Sequence, residues 1–173
     1  MYLQKLRGHD NIVQLLKIYM SENGKDLYLL FDYMPTDLHA VYRNSILDIF
    51  HIKFITYQIL KALLYIHSAG IIHRDIKPSN ILIDESCRVK LCDFGLARSI
   101  EEGDGRLLTD YVATRWYRPP EVLLCGTVHT DGIDIWAVAC LLGELIRGKP
   151  LLPGKVHIDE ISRILEHSFN SFD

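Results

Sequence analysis

One stretch, His73-Arg74-Asp75-Ile76-Lys77-Pro78-Ser79-Asn80, brings an acid, a cation and an amide into a short span. Asp75 carries a carboxylate able to accept a proton from a hydroxyl. Asn80 offers an amide oxygen, the ligand type that a hard cation such as magnesium prefers. Lys77 adds a positive charge able to balance a neighbouring anion. Asp93-Phe94-Gly95 follows, and its carboxylate is a second candidate magnesium ligand. Taken singly, Asp75 is more readily read as half of a charge pair in a polar turn. Asp-Phe-Gly alone is an ordinary turn.

The elements that must hold these groups are legible on either side. Apolar residues at Ile52, Ile55, Ile59, Leu63 and Ile66 keep helical spacing through 49–67, and Gly70 stops that helix. Ile81 to Ile83 and Val89 to Leu91 suit small strands that bracket the two motifs. Upstream, Met1 to Arg7 reads as the end of a helix closed by Gly8. Ile12 to Tyr19 and Leu27 to Tyr33 read as strands joined through Asn23-Gly24, a hairpin signal. Asp134 to Ile146 is apolar nearly all round, the mark of a buried helix. Ile158, Ile161 and Leu165 suggest one more amphipathic helix. A small β portion followed by a mostly helical body is an α+β arrangement.

Composition narrows the class. The 173 residues are 49% hydrophobic and 24% charged, which suits one globular domain rather than a disordered chain. A net charge of -3 gives no overall reason to expect a nucleic acid or membrane partner. No apolar run reaches the ~18 residues of a membrane span. Cysteines 87, 92, 125 and 140 form neither a CxxC pair nor a zinc-type cluster. Reduced thiols in the cytoplasm or nucleus are the expectation. Cys92 reads as a buried small residue rather than a reactive one.

Together the motifs resemble the H-R-D-x-x-x-x-N catalytic loop and the D-F-G of protein kinases, at that family's spacing. Thr109-Asp110-Tyr111, followed by Val112 to Glu121 (Val-Ala-Thr-Arg-Trp-Tyr-Arg-Pro-Pro-Glu), is similar to the activation loop of MAP kinases of the Thr-Asp-Tyr type. The resemblance implies a kinase-like fold. Residues 1–34 would be the end of the N-lobe and the hinge, and 35–173 an incomplete C-lobe. It implies ATP and magnesium as cofactors, and protein substrates with Ser or Thr before Pro. Activation would follow phosphorylation of Thr109 and Tyr111 by an upstream dual-specificity kinase or by autophosphorylation.

Residue roles carry over position by position. Asp75 would be the base, Lys77 would support the transferring phosphoryl group, and Asn80 and Asp93 would hold metal. Asp32 and Met34 would present backbone groups to adenine, with Phe31 as gatekeeper. Asp37 would approach the ribose, and Leu82 would lie under the base. A strand ending at Pro35 is the plain alternative for that segment. Phosphorylated Thr109 would pair with Arg74 and Arg98, and phosphorylated Tyr111 with Arg115 and Arg118, because guanidinium forks suit phosphate. Outside the resemblance these arginines are ordinary surface charges. Asp134 would bond the backbone of the catalytic loop, cap its own helix, or do both.

The sequence departs from the family pattern in known places. It holds no G-x-G-x-x-G loop and no strand lysine ahead of it, and Ala137 and Ala139 stand where the family usually has Ser and Gly. Ser168 to Asp173 matches nothing recognisable. Little turnover is therefore expected from the chain alone. A non-catalytic binding module and a piece of a longer kinase are the other two readings.

Overall fold

The helical spacing through 52–66 folds into the longest helix, α3 (Ile49–Ser68), with Ile52, Ile55, Ile59, Leu63 and Ile66 all buried. Its start is fixed by a capping box. The Asp48 carboxylate accepts from the backbone of Phe50 and His51, and the His51 side chain returns to the Asp48 backbone. The computed structural model describes residues 2–44, 46–100, 115–124, 130–154 and 157–170. Among these, α3 is the one helix long and apolar enough to cross a membrane by length and composition. Its inner face lies in the core with Leu38, Leu91 and Leu141, while Lys53 and Lys61 break its outer face.

Around α3 stand short elements, in the order expected for an α+β kinase-like fold. They are α1 (Tyr2–Lys5), β1 (Leu15–Met20), β2 (Leu27–Phe31), β3 (Thr36–Asp37), α2 (Leu38–Tyr42), β4 (Ile71–Ile72), β5 (Ile81–Ile83), β6 (Val89–Leu91) and β7 (Arg98–Ser99). Three helices follow: α4 (Pro120–Leu123), α5 (Gly132–Arg147) and α6 (His157–Asn170). The strands pair as a β1–β2 hairpin, a β3–β5–β6 sheet and a β4–β7 ladder. α5 packs across α3 and completes the core with Ala137, Val138, Leu141 and Leu145.

The hairpin turn follows its sequence signal. Asn23 accepts from the Ser21 hydroxyl and the Lys25 backbone, and Gly24 takes φ +68, a left-handed conformation that glycine adopts without strain. The strands are shorter than expected. β1 starts at Leu15 because residues 11–13 pair elsewhere. Ile12 forms a parallel bridge to Leu91, and Val13 and Asn11 exchange backbone bonds with Leu91. β2 ends at Phe31 because Asp32 turns back to Gln14, accepting its N–H at 2.7 Å and donating to its carbonyl at 3.2 Å.

Segment 11–13 is thus part of the helical body. Buried Asn11 donates to Gln58 Oε1 at 3.0 Å and to the Val89 carbonyl at 2.9 Å. Gln58 in turn accepts from the Val89 N–H and donates to the Cys87 carbonyl. Replacing Asn11 by Ala would strand buried acceptors and is expected to cost about 1–3 kcal/mol in urea unfolding. An unchanged midpoint would show that the network contributes nothing to stability.

The last two helices differ from the sequence expectation. α5 begins at Gly132, so Asp134 sits inside the first turn; the cap position is Asp131, whose side chain makes no capping bond. Ile135 and Ile146 are exposed, so α5 is buried on one side only. In α6 the buried stripe runs through Glu160 and Ile164, whereas Leu165 is exposed.

Candidate active site

The loop at 73–80 leaves β4, crosses the base of α5, and re-enters the fold at β5. One side chain organises its first residues. Asp134, fully buried, accepts from the His73 N–H at 2.8 Å, the Arg74 N–H at 2.8 Å and His67 Nε2 at 2.8 Å. Its helix cap role is not observed; its loop-binding role is. Arg74 has φ +69, which is unfavourable for a residue with a Cβ. The bond from its N–H to Asp134 holds that turn in place.

His73 forms the floor. Its ring is buried and edge-on to Phe94, with centroids 4.7 Å apart. Burial pushes its pKa down, and Asp134 opposes that pull. The ring is neutral at pH 7, and its hydrogen bonds define the tautomer. Nε2 faces the Cys92 carbonyl at 2.9 Å and must carry the proton. Nδ1 accepts from the Asp75 N–H. The His73–Phe94 pair thereby ties the catalytic loop to the Asp93-Phe94-Gly95 turn.

Asp75 is buried, and two donors converge on its Oδ2: Lys77 Nζ at 2.8 Å and Asn80 Nδ2 at 2.7 Å. Asn80 Nδ2 also donates to the Asp75 carbonyl at 2.9 Å. This fixes the amide, with its oxygen on the other side. Asn80 closes a 3-10 turn, Pro78–Asn80, whose proline fixes the first φ. Asp93 is exposed and left-handed at φ +58, and its Oδ1 accepts from the Gly95 N–H at 3.3 Å. Two oxygens, one carboxylate and one amide, fit magnesium, which commonly takes one or two protein ligands and fills its octahedron with phosphate oxygens and water. Among the described residues no cluster of three His, Cys, Asp or Glu forms an all-protein metal cage.

The segment expected to meet adenine is held from below. Besides its bonds to Gln14, Asp32 pairs with Lys90 of β6 at 2.8 Å. Leu82 sits on the face of β5 opposite the buried Ile81 and Ile83, opposite Asp37 in register. Asp37 uses one carboxylate oxygen to cap α2, accepting from the Ala40 N–H at 2.9 Å. Met34 lines a groove of ≈ 750 Å³ with Tyr33, Pro35, Phe54, Tyr57, Lys61 and Arg88. None of Asp75, Lys77, Asn80 or Asp93 lines it.

The four arginines fare differently. Arg74 is held by its backbone as described. Arg98, in β7, spends Nη1 on the carbonyl of Ala97 at 2.8 Å, so one of its donors is committed. Arg115 and Arg118 lie between β7 and α4, directly ahead of α4, and are half-buried. Thr109 and Tyr111 lie outside the described residues, as do Val112 to Thr114.

Sequence reasoning missed two buried side chains near this segment, Glu144 and Glu160, and the partly buried His67 at Asp134. Glu144 of α5 accepts from the Tyr117 hydroxyl at 2.5 Å; burial and a side-chain bond to Glu144 push each of Tyr117 and Tyr42 above the usual tyrosine range, Tyr42 to about 12. Glu160 of α6 is buried. His67 was read only as a helix end. Charged residues at inward positions of α5, α6 and α3 were the available signal. Cys92, by contrast, is half-buried with its thiol pushed up to about 11, chiefly by burial, which makes it a poor nucleophile.

The protein kinase domain family matches residues 1–172, and the chain belongs to that family. Its similarity within the family is to MAP kinases. It is 52% identical over 170 residues to mitogen-activated protein kinase 15 of Xenopus laevis, covering 95% of this chain and 29% of the relative. It is 50% identical over 171 residues to extracellular signal-regulated kinase 2 of Dictyostelium discoideum, covering 96% and 46%. Extracellular signal-regulated kinase 7 of Drosophila melanogaster is 48% identical over 173 residues, covering 95% and 19%. The chain thus spans less than half the length of these curated relatives.

Proposed function

We propose that this chain carries the catalytic and activation segments of a MAP-kinase-type protein serine/threonine kinase. The reaction transfers the γ-phosphoryl group of ATP to a Ser or Thr followed by Pro. The observation that carries this reading is the Asp75 carboxylate, with Lys77 and Asn80 both bonded to Oδ2. That leaves Oδ1 for a substrate hydroxyl, whose proton it would accept. Magnesium-bound ATP supplies the phosphoryl group and neutralises charge on the phosphate oxygens. Asn80 and Asp93 would hold the metal, and Lys77 would face the transferring group. Asp32 and Met34 would meet adenine through their backbones, Leu82 would lie under the base, and the second oxygen of Asp37 would approach the ribose.

Activation by phosphorylation of Thr109 and Tyr111 belongs to the same reading. Each phosphate adds about -1.5 to -2 charges, which Arg74, Arg98, Arg115 and Arg118 would pair. An upstream dual-specificity kinase or autophosphorylation would supply it, in cytoplasm or nucleus. Residues 1–34 would serve as the end of an N-lobe with its hinge, and 35–173 as C-lobe. The chain alone is expected to turn over weakly, because its sequence holds no Gly-rich loop to position the phosphates.

Calorimetry with ATP and magnesium tests the site. Saturable heat that disappears in Asp93→Ala, in a chain whose circular dichroism is unchanged, is the expected result. Heat that survives the substitution would sink the metal assignment. A folded chain with no heat at all would favour a non-catalytic binding module.

A further inference from the structure

The half-buried arginine pair ahead of α4 has an acid beside it that the proposed chemistry does not use. Glu160, in the first half of α6, is 1% exposed, and neither of its carboxylate oxygens has a hydrogen-bond partner among the described residues. Its surroundings are close-packed. A Cβ placed on Gly154 would lie 2.7 Å from Glu160 Cβ and 2.9 Å from its Cα, so only glycine fits against this helix turn. The Gly154 carbonyl in turn accepts from Trp116 Nε1 at 3.0 Å. Trp116 sits in the same segment as Arg115 and Arg118, and α4, which continues that segment, packs on α6.

Among the described residues, the charged and titratable groups around Glu160 are few. Arg115 and Arg118 come from the segment ahead of α4, Asp159 from its own helix, and the Cys140 thiol from α5. Glu121, on α4, is exposed. A buried carboxylate without hydrogen bonds is costly, and the nearby guanidinium charge is what makes its ionised form tolerable. Burial holds Glu160 up at about 7, while Arg115 and Arg118 pull it down.

We propose that Glu160 is a built-in, proton-exchanging counter-charge for Arg115 and Arg118: a doubly charged anion that engages the arginines displaces the role of the carboxylate, and Glu160 takes a proton from solvent. Anion and Glu160 carboxylate compete for one positive field. The arginine site therefore binds an anion more tightly as the pH falls through neutrality. This rests on the reading of Arg115 and Arg118 as phosphate-pairing residues, and it adds a proton to that event.

Sulfate is the probe, because it keeps its charge across this range whereas phosphate titrates. At constant ionic strength, sulfate is titrated into the chain at about pH 6 and about pH 8, following the side-chain N–H signals of Arg115 and Arg118 by NMR. The wild type is expected to bind severalfold tighter at the lower pH. Glu160→Gln is expected to bind equally at both, near the wild-type low-pH affinity. In the unmutated chain, the ¹³C carboxyl titration of Glu160 is expected to move upward when sulfate is added, which keeps the test independent of how the variant folds. A pH dependence that persists in Glu160→Gln, a Glu160 titration unmoved by sulfate, or no sulfate at the arginines at either pH overturns the proposal. Failure of the underlying reading looks different. Phosphorylating Tyr111 would then leave both arginine signals in place while the sulfate response kept its proton link.

Discussion

Replacing Asp134 with alanine is expected to destabilise the chain by about 3–5 kcal/mol, a large share of the ~5–15 kcal/mol available to a typical domain. The size follows from what the carboxylate does. It accepts from two buried backbone N–H groups, those of His73 and Arg74, and from His67. An alanine leaves both N–H groups without partners, at about 1–3 kcal/mol each. It also releases Arg74 from its left-handed turn. Urea unfolding should show a lower midpoint with an unchanged slope. His67→Ala removes only one of the three contacts and should cost clearly less. Equal losses in the two variants would mean that the histidine contact, not the loop backbone, is what Asp134 secures.

Asp75→Asn is expected to do the opposite: to spare the fold and remove the chemistry. An asparagine oxygen in the place of Oδ2 can still accept from Lys77 Nζ and Asn80 Nδ2, so the turn should hold. An amide cannot take a hydroxyl proton. Phosphotransfer to a Ser/Thr-Pro peptide should fall by about 10²–10⁴, the range for a positioned general base. Nucleotide affinity and unfolding midpoint should stay as they are. Turnover within tenfold of the unmutated chain, a change worth only about 1.4 kcal/mol of barrier, would remove Asp75 from the role of base. A parallel loss of stability would show that the side chain is chiefly structural.

The helical framework and the chemical motifs were legible because each rests on local information. α3 could be read from its apolar spacing, and the hairpin turn from Asn23-Gly24, whose geometry depends on neighbours in sequence. Asp75, Lys77 and Asn80 lie in one turn, so their convergence was implied by spacing. What escaped the sequence is set by distant contacts. β3, β4 and β7 are two residues each, too short for any period, and exist because another strand lies alongside. The first residues of the expected Ile12 strand joined Leu91 instead, a partner almost eighty positions away that periodicity cannot reveal. Leu165 fitted the α6 pattern yet is exposed, while Glu160 is buried, because the packing of α4 and Gly154 selects a different face. Asp37 and Arg98 show the same limit at the site. Each was assigned a ligand from resemblance, and each already serves the backbone.

The anchoring of residues 11–13 divides the molecule by stiffness. Below that point, Leu91, Gln58 and Val89 lock the segment into the body; above it, of the β1–β2 hairpin only Leu15 is buried. A two-stranded ribbon with so little packing opens at small cost in free energy, whereas α3 and α5 open only when the core does. Backbone amides should therefore trade their hydrogens for deuterium early in the hairpin and late in the helices. The boundary should fall at Gln14 and Asp32, whose paired bonds close the base of the hairpin where Asp32 is also tied to Lys90 of β6.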